Sequence, residues 1–154
     1  MSIVAISLDT LADTMKIAKA FHHESRYCAE EYDEEHVESY IKINYLSTDY
    51  VPPSYGFIAY NDEEEVVGIM TFSLANKLMN TDIIALEEVM YVDPAHRGQT
   101  VGLELNQACE ELAKTMGCTS MVIGACSGIA TPTTLDRLEA AGYHRMGVML
   151  GKEL

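Results

Sequence analysis

The sequence predicts a single mixed α/β domain spanning residues 1–154. A central mixed sheet is flanked by helices in the order β-α-α-β-β-β-α-β-α-β. Three observations predict it. Segments of period-two apolar alternation interleave with segments of period three to four along the chain. Three strand-type runs in the middle are joined by short turn clusters, which makes an antiparallel meander. A long strand ending at Asp93-Pro94 then passes through a glycine-bearing turn into the clearest helix, and another strand follows, as in a right-handed parallel crossover.

Residues 2–8 alternate as a first strand. From Thr10, the apolar positions Leu11, Met15, Ala18 and Phe21 step by three or four, so a helix is expected with Thr10 or Asp9 as its cap. A second helix is expected over Glu34–Tyr45, with Val37, Ile41 and Asn44/Tyr45 on one side. After Pro52-Pro53, the runs 55–60 and 65–74 form a hairpin around Asn61-Asp62, and Asn76–Thr81 turns the chain into a strand over 82–92. In the following helix, Val101, Leu105, Ala108, Leu112 and Met116 form the apolar stripe, and Gly117 ends it. Residues 119–125 read as a buried strand. Pro132 starts a short helix with Leu135, Leu138 and Ala141 inward and Gly142 as its stop, and residues 143–150 read as the last strand.

Composition narrows the function. A net charge of −14 argues against nucleic acid, because phosphate binding depends on clustered Lys and Arg, and it is compatible either with a cationic partner or with plain solubility. No run approaches the roughly 18 apolar residues of a membrane span, and the N-terminus lacks the basic and small-residue features of a signal peptide, so a cytoplasmic location is expected. Cys28, Cys109, Cys118 and Cys126 show no metal spacing and are expected as reduced, mostly buried thiols. His22-His23 has no second cluster to complete a metal site, and no metal is expected. The acidic run from Glu30 to Glu38 reads either as a solvated helix face or as the rim of a site for a cation.

The stretch "YVDPAHRGQTVG", Tyr91–Gly102, carries the chemistry. The first amides of a helix have no intrahelical acceptor and sit at the positive end of its dipole, so they can cradle a phosphate. Gly98 and Gly102 allow close approach of backbone to ligand, and Arg97 adds charge. Neither the dinucleotide fingerprint G-x-G-x-x-G nor a P-loop is present.

This stretch resembles the signature of the GNAT superfamily of acyl-CoA-dependent N-acyltransferases, Arg/Gln-x-x-Gly-x-Gly/Ala between the fourth strand and third helix. Arg97, Gly98, Gln99, Thr100, Val101 and Gly102 occupy the pattern, the lead-in is similar to the family's V-x-P-x-x-R-G, and "LEAAGY" resembles a later family segment. The resemblance implies acetyl-CoA as co-substrate and a primary amine, here a cationic one, as acceptor. It also implies that amides of Gly98 to Leu103 hold the pyrophosphate and that main-chain groups of Met90, Tyr91 and Val92 pair with pantetheine. The fourth and fifth strands would splay to admit the ligand, with residues 124–126 as the second wall.

The family pattern is not matched everywhere. Thr100 stands where a Gly is usual, Thr131 replaces a frequent Asn, and Leu138 stands where many members carry a Tyr that protonates the thiolate. Ser127, Cys126 and Tyr143 are the remaining polar groups near the strand ends. Removing a proton from the attacking amine needs a base, for which Glu87 and Glu88 are the candidates. Strand alternation sends them to opposite faces, so at most one should face the site; Glu88 is the first choice, and a bulge near Met90 would reverse it. A binding or interaction module with little turnover is the alternative to an enzyme. Pairing between subunits at a sheet edge would give a homodimer.

Overall fold

A computed structural model of the chain describes residues 1–47, 54–124, 127–129 and 132–147. Five strands form one sheet in the order β1-β2-β3-β4-β5: β1 (Ser2–Ala5), β2 (Ser54–Tyr60), β3 (Val66–Asn76), β4 (Ile83–Val92) and β5 (Cys118–Val122). The first four pair antiparallel, and β4–β5 is parallel. The helices are α1 (Leu11–Glu24), α2 (Glu34–Ile41), α3 (Val101–Thr115) and α4 (Pro132–Ala140). No described helix is long and apolar enough to cross a membrane.

The hairpin turns where the sequence marks it. Asn61 Oδ1 accepts the main-chain N–H groups of Glu63 and Glu65, which holds Glu64 in a left-handed conformation at φ 61°. The meander then presents two faces. Met70, Phe72, Ala85 and partly buried Met90 and Val92 meet Val101, Leu105, Cys109 and Ala113 of α3. On the other face, Ile58, Ile69 and Tyr91 meet Ile17 of α1 and Ile41 of α2.

Several expectations change. Thr10 occupies the cap position of α1, but its hydroxyl turns back to Ser7, accepting the Ser7 N–H at 2.9 Å instead of a helix amide. The buried face of α3 runs Val101, Leu105, Cys109, Ala113; Ala108, Leu112 and Met116 are only partly buried, because the helix lies over β3 on the 109/113 side of the expected stripe. In α4 Leu138 is buried while Ala141 is exposed. Cys28 is exposed, Cys118 half-buried and only Cys109 buried; Cys126 lies outside the described residues. The last expected strand is not formed over Tyr143–Gly147, and its remainder lies outside the described residues.

Helix α2 ends earlier than its apolar spacing implies. The chain passes at Lys42 into a π-helical turn, Lys42–Leu46. Such a turn inserts a residue into the helical repeat and re-aims the side chains beyond it. Here it carries Tyr45 against the sheet, where its hydroxyl meets Thr71 at 3.2 Å and Glu88 at 2.6 Å.

Candidate active site

The site begins where β4 loses its neighbour. β5 pairs with β4 only from Ile83 to Leu86, opposite Cys118 to Val122. Beyond Leu86, the edge of β4 from Glu87 to Val92 has no strand beside it among the described residues. A cleft of about 590 Å³ follows this edge, running from Glu87 and Gly124 past Met90 and Val92 to Gly98, with α4 as its far wall. Gly124 lies on the β5 side as expected; residues 125 and 126 fall outside the described ones.

A bulge decides where the two carboxylates go. In the register of β3 with β4, Phe72 faces Glu87 and Thr71 faces Val89, so Glu88 is the extra residue. The two glutamates point to opposite faces, as alternation predicts; the bulge sets Glu88 on the same face as Val89, and both carboxylates nevertheless line the cleft, where at most one was expected. Glu87 leans toward the α3 side and accepts the Gly124 N–H at 2.9 Å, bridging the strands where their main chains part. Its burial pushes the carboxyl up to about 7, against the lowering effect of the Gly124 N–H, and the neighbouring Glu88 charge adds to the rise. Glu88 turns to the α1/α2 side and accepts the hydroxyls of Tyr45 at 2.6 Å and Ser54 at 3.2 Å. Burial, then the Glu88 charge, raises the Tyr45 phenol far above its usual range, so it stays a donor.

At the other end, Asp93 Oδ1 accepts the Ala95 N–H and stops β4 in a short 3₁₀ turn, Pro94–His96. Gly98 then takes φ 85°, a left-handed conformation that a side chain resists. A Cβ added at Gly102 would lie 3.4 Å from the Met90 methyl and 3.6 Å from Val92, ordinary contact distances, so the packing of α3 on β4 does not itself require glycine here. The first amide of α3 to find a helical acceptor is that of Glu104, bonded to the Thr100 carbonyl. The main-chain N–H groups of Gly98 to Leu103 have no hydrogen-bond acceptor among the described residues, which makes this end of the cleft a cradle for an anion.

The side chains of the same stretch are otherwise engaged. The Arg97 guanidinium pairs with both carboxylate oxygens of Glu24, Nη2 at 2.7 Å, and its Nε donates to the Val92 carbonyl at 2.8 Å, so it braces the turn. The charge that the sequence suggested for a phosphate is held by α1. Tyr91 turns into the core beneath this pair; burial pushes its phenol up to about 12, and its hydroxyl donates to Glu24 at 3.2 Å. Thr100 adopts an ordinary helical conformation, φ −87° and ψ −11°, and its hydroxyl donates to Glu104 at 2.6 Å. Val101 is buried in the core, whereas Leu103 is exposed and borders the cleft.

Two cleft residues escaped the sequence. Arg137, on α4, donates to the carbonyls of Gly98 at 3.2 Å and Gln99 at 3.5 Å. In a trans peptide the N–H points opposite to the C=O, so this grip also orients the amides of Gln99 and Thr100. Its only sequence signal is a cation among few in a strongly acidic chain. Tyr27 borders both this cleft and a second pocket of about 340 Å³ beneath α1 and α2, as do Phe21 and Val89. Among the polar candidates, Ser127 lines the cleft. Tyr143 does not; its hydroxyl donates to Glu110 at 2.8 Å. Leu138 is buried in the cleft wall. Among the described residues no group of three metal-ligating side chains forms.

Residues 15–147 match the acetyltransferase (GNAT) family. The sequence matches no curated protein. In three dimensions the chain is similar to a probable acetyltransferase, with a TM-score of 0.78 at 15% identity over 100% of this chain and 97% of that one. It is similar to a ribosomal-protein-alanine N-acetyltransferase from Brucella melitensis biovar Abortus 2308, with a TM-score of 0.73 at 14% identity over 100% of both chains. A third is an aminoglycoside acetyltransferase from an uncultured soil metagenomic sample, in complex with sisomicin, with a TM-score of 0.75 at 16% identity over 99% and 95%. At these identities the structures share the fold, while the sequence match covers most of the chain: it belongs to the GNAT family of acetyltransferases.

Proposed function

We propose that this protein transfers the acetyl group of acetyl-CoA to a primary amine by direct attack. The observation that carries the reading is the unpaired β4 edge, which runs from a carboxylate pair at Glu87 and Glu88 to a cradle of free amides at Gly98–Leu103. The pyrophosphate sits on that cradle, and pantetheine pairs with main-chain groups of Met90, Tyr91 and Val92. The thioester then lies toward Glu88. The amine nitrogen attacks the carbonyl carbon and its proton passes to Glu88, which Tyr45 and Ser54 hold in place. The carbon–sulfur bond breaks and coenzyme A leaves as a thiolate, which water can protonate. Glu87 supports this as the group that braces Gly124 across the split.

A protein that binds the thioester with little turnover is the second reading, favoured by Leu138, whose buried side chain offers no acid in the cleft wall. One pair of measurements decides. Acetyl-CoA should raise the melting temperature and perturb the amides of Gly98–Leu103; if saturating acetyl-CoA does neither, transfer is excluded. Free-thiol release over an amine panel should follow enzyme concentration, and binding without release selects the second reading.

A further inference from the structure

The pocket of about 340 Å³ beneath α1 and α2 meets the cleft at Phe21, Tyr27 and Val89, which border both. Tyr45 and Thr71 line it on the sheet side, and the Tyr45 hydroxyl touches Glu88, so the base lies at this junction. Its walls are apolar and aromatic: Ile69 and Val37 with the rings of Phe21, Tyr32 and Tyr40. The acidic residues on it, Glu30, Glu31 and Asp33, are exposed and form a rim. His22 and Tyr32 are among the polar residues that line this pocket and not the cleft. Both ring nitrogens of His22 and the hydroxyl of Tyr32 are buried without a hydrogen-bond partner among the described residues, and the two rings lie 5.1 Å apart.

Resting on the acetyl-transfer reading, we propose that the acceptor is a small hydroxylated arylalkylamine. Its ring fills the aromatic pocket, its ring hydroxyl meets His22 and Tyr32, and its amine reaches Glu88 at the junction. Each part follows from the lining. A planar ring matches aromatic and aliphatic walls, whereas an amino sugar would set several of its hydroxyls against Ile69, Val37 and Phe21. A polyamine would leave a methylene chain against the aromatic walls, and its second charge would reach the rim carboxylates and not His22 or Tyr32. The acidic rim draws a cation in but does not bind its body. A phenolic hydroxyl, donor and acceptor at once, answers both a histidine nitrogen and a tyrosine hydroxyl.

The test uses tyramine, 2-phenylethylamine, putrescine, glucosamine and a lysine peptide with the full chain and acetyl-CoA, following thiol release. Tyramine should exceed 2-phenylethylamine about tenfold in kcat/KM and the other three about a hundredfold. His22→Phe should erase the advantage of tyramine and spare 2-phenylethylamine. Val37→Phe, which fills the pocket, should raise KM for both aryl amines while the melting shift with acetyl-CoA is retained. Tyramine should also move the ring-nitrogen NMR signals of His22 without acetyl-CoA present. Putrescine, glucosamine or the peptide as best acceptor, or no tyramine effect at His22, overturns the proposal and leaves acetyl transfer standing. Tyramine bound at His22 with no response to acetyl-CoA supports the pocket and retires the transfer reading.

Discussion

Arg97 and Glu24, 73 residues apart, close a two-pronged ion pair over the ring of Tyr91, whose centroid lies 5.5 Å from the guanidinium carbon. The pair ties the last turn of α1 to the loop that opens α3, and so links the α1 side of the sheet to the unpaired amides of that loop. Both side chains are about one-third exposed, at 35% and 32%, so solvent weakens the pair. Arg97→Ala should lower stability by about 1–2 kcal/mol, measured by urea unfolding at neutral pH, with the lost Val92 bond included. The Arg97 hydrogen bond is the main reason that the Glu24 carboxyl is held below its ordinary 4.5. Its stabilisation is therefore complete above that value and fades as pH falls below it, so wild type and variant should converge in acid.

Glu88→Gln keeps the shape of the side chain and removes the proposed base. It should lower kcat about 10²–10⁴-fold while leaving the melting shift with acetyl-CoA intact. Tyr45→Phe should reduce kcat about tenfold, because it frees Glu88 to rotate but leaves it able to take a proton. If Glu88→Gln retains wild-type turnover, the proton goes elsewhere, and Glu87 is the next residue to replace.

Glu87 should show its raised affinity for a proton as pH-dependent stability. Its folded value of about 7 exceeds the ordinary 4.5, so the folded state holds the proton more tightly than the unfolded chain does. The contribution is fully present below pH 4.5 and is lost as pH rises through 7. The wild type should thus lose about 2–3 kcal/mol across this window relative to Glu87→Gln, which should unfold with a flatter pH profile in chemical denaturation.

The cradle has two separable supports. Gly98→Ala forces a side chain into φ 85° and should cost about 1 kcal/mol of stability as well as affinity for acetyl-CoA. Arg137→Ala leaves the backbone free of strain and should weaken acetyl-CoA about tenfold by calorimetry, with stability changed by less than about 0.5 kcal/mol.

The strand, glycine turn and helix around Gly98 could be read from residues 91–102 because each signal there is local: Asp-Pro ends a strand, and glycine adopts a left-handed turn. The meander was equally readable from alternation and turn residues. The placement of Glu88 was not. Nothing in Glu87-Glu88-Val89 marks a bulge, and the extra residue is defined by the register with β3 and the π-turn that delivers Tyr45. Arg97 likewise had no visible partner, since Glu24 approaches it only after α1 has packed. The His22–Tyr32 contact joins two segments whose sequence shows only polarity and charge.

The bulge at Glu88 has a kinetic consequence under the proposed reaction. It sets Glu88 on the α1/α2 face beside Val89, at the place where the cleft and the second pocket meet. Donor and acceptor would therefore be held on the protein together, one in each space, with Glu88 between them. Initial-rate lines plotted reciprocally should therefore intersect instead of running parallel, the mark of a ternary complex in which the acyl group never rests on the protein.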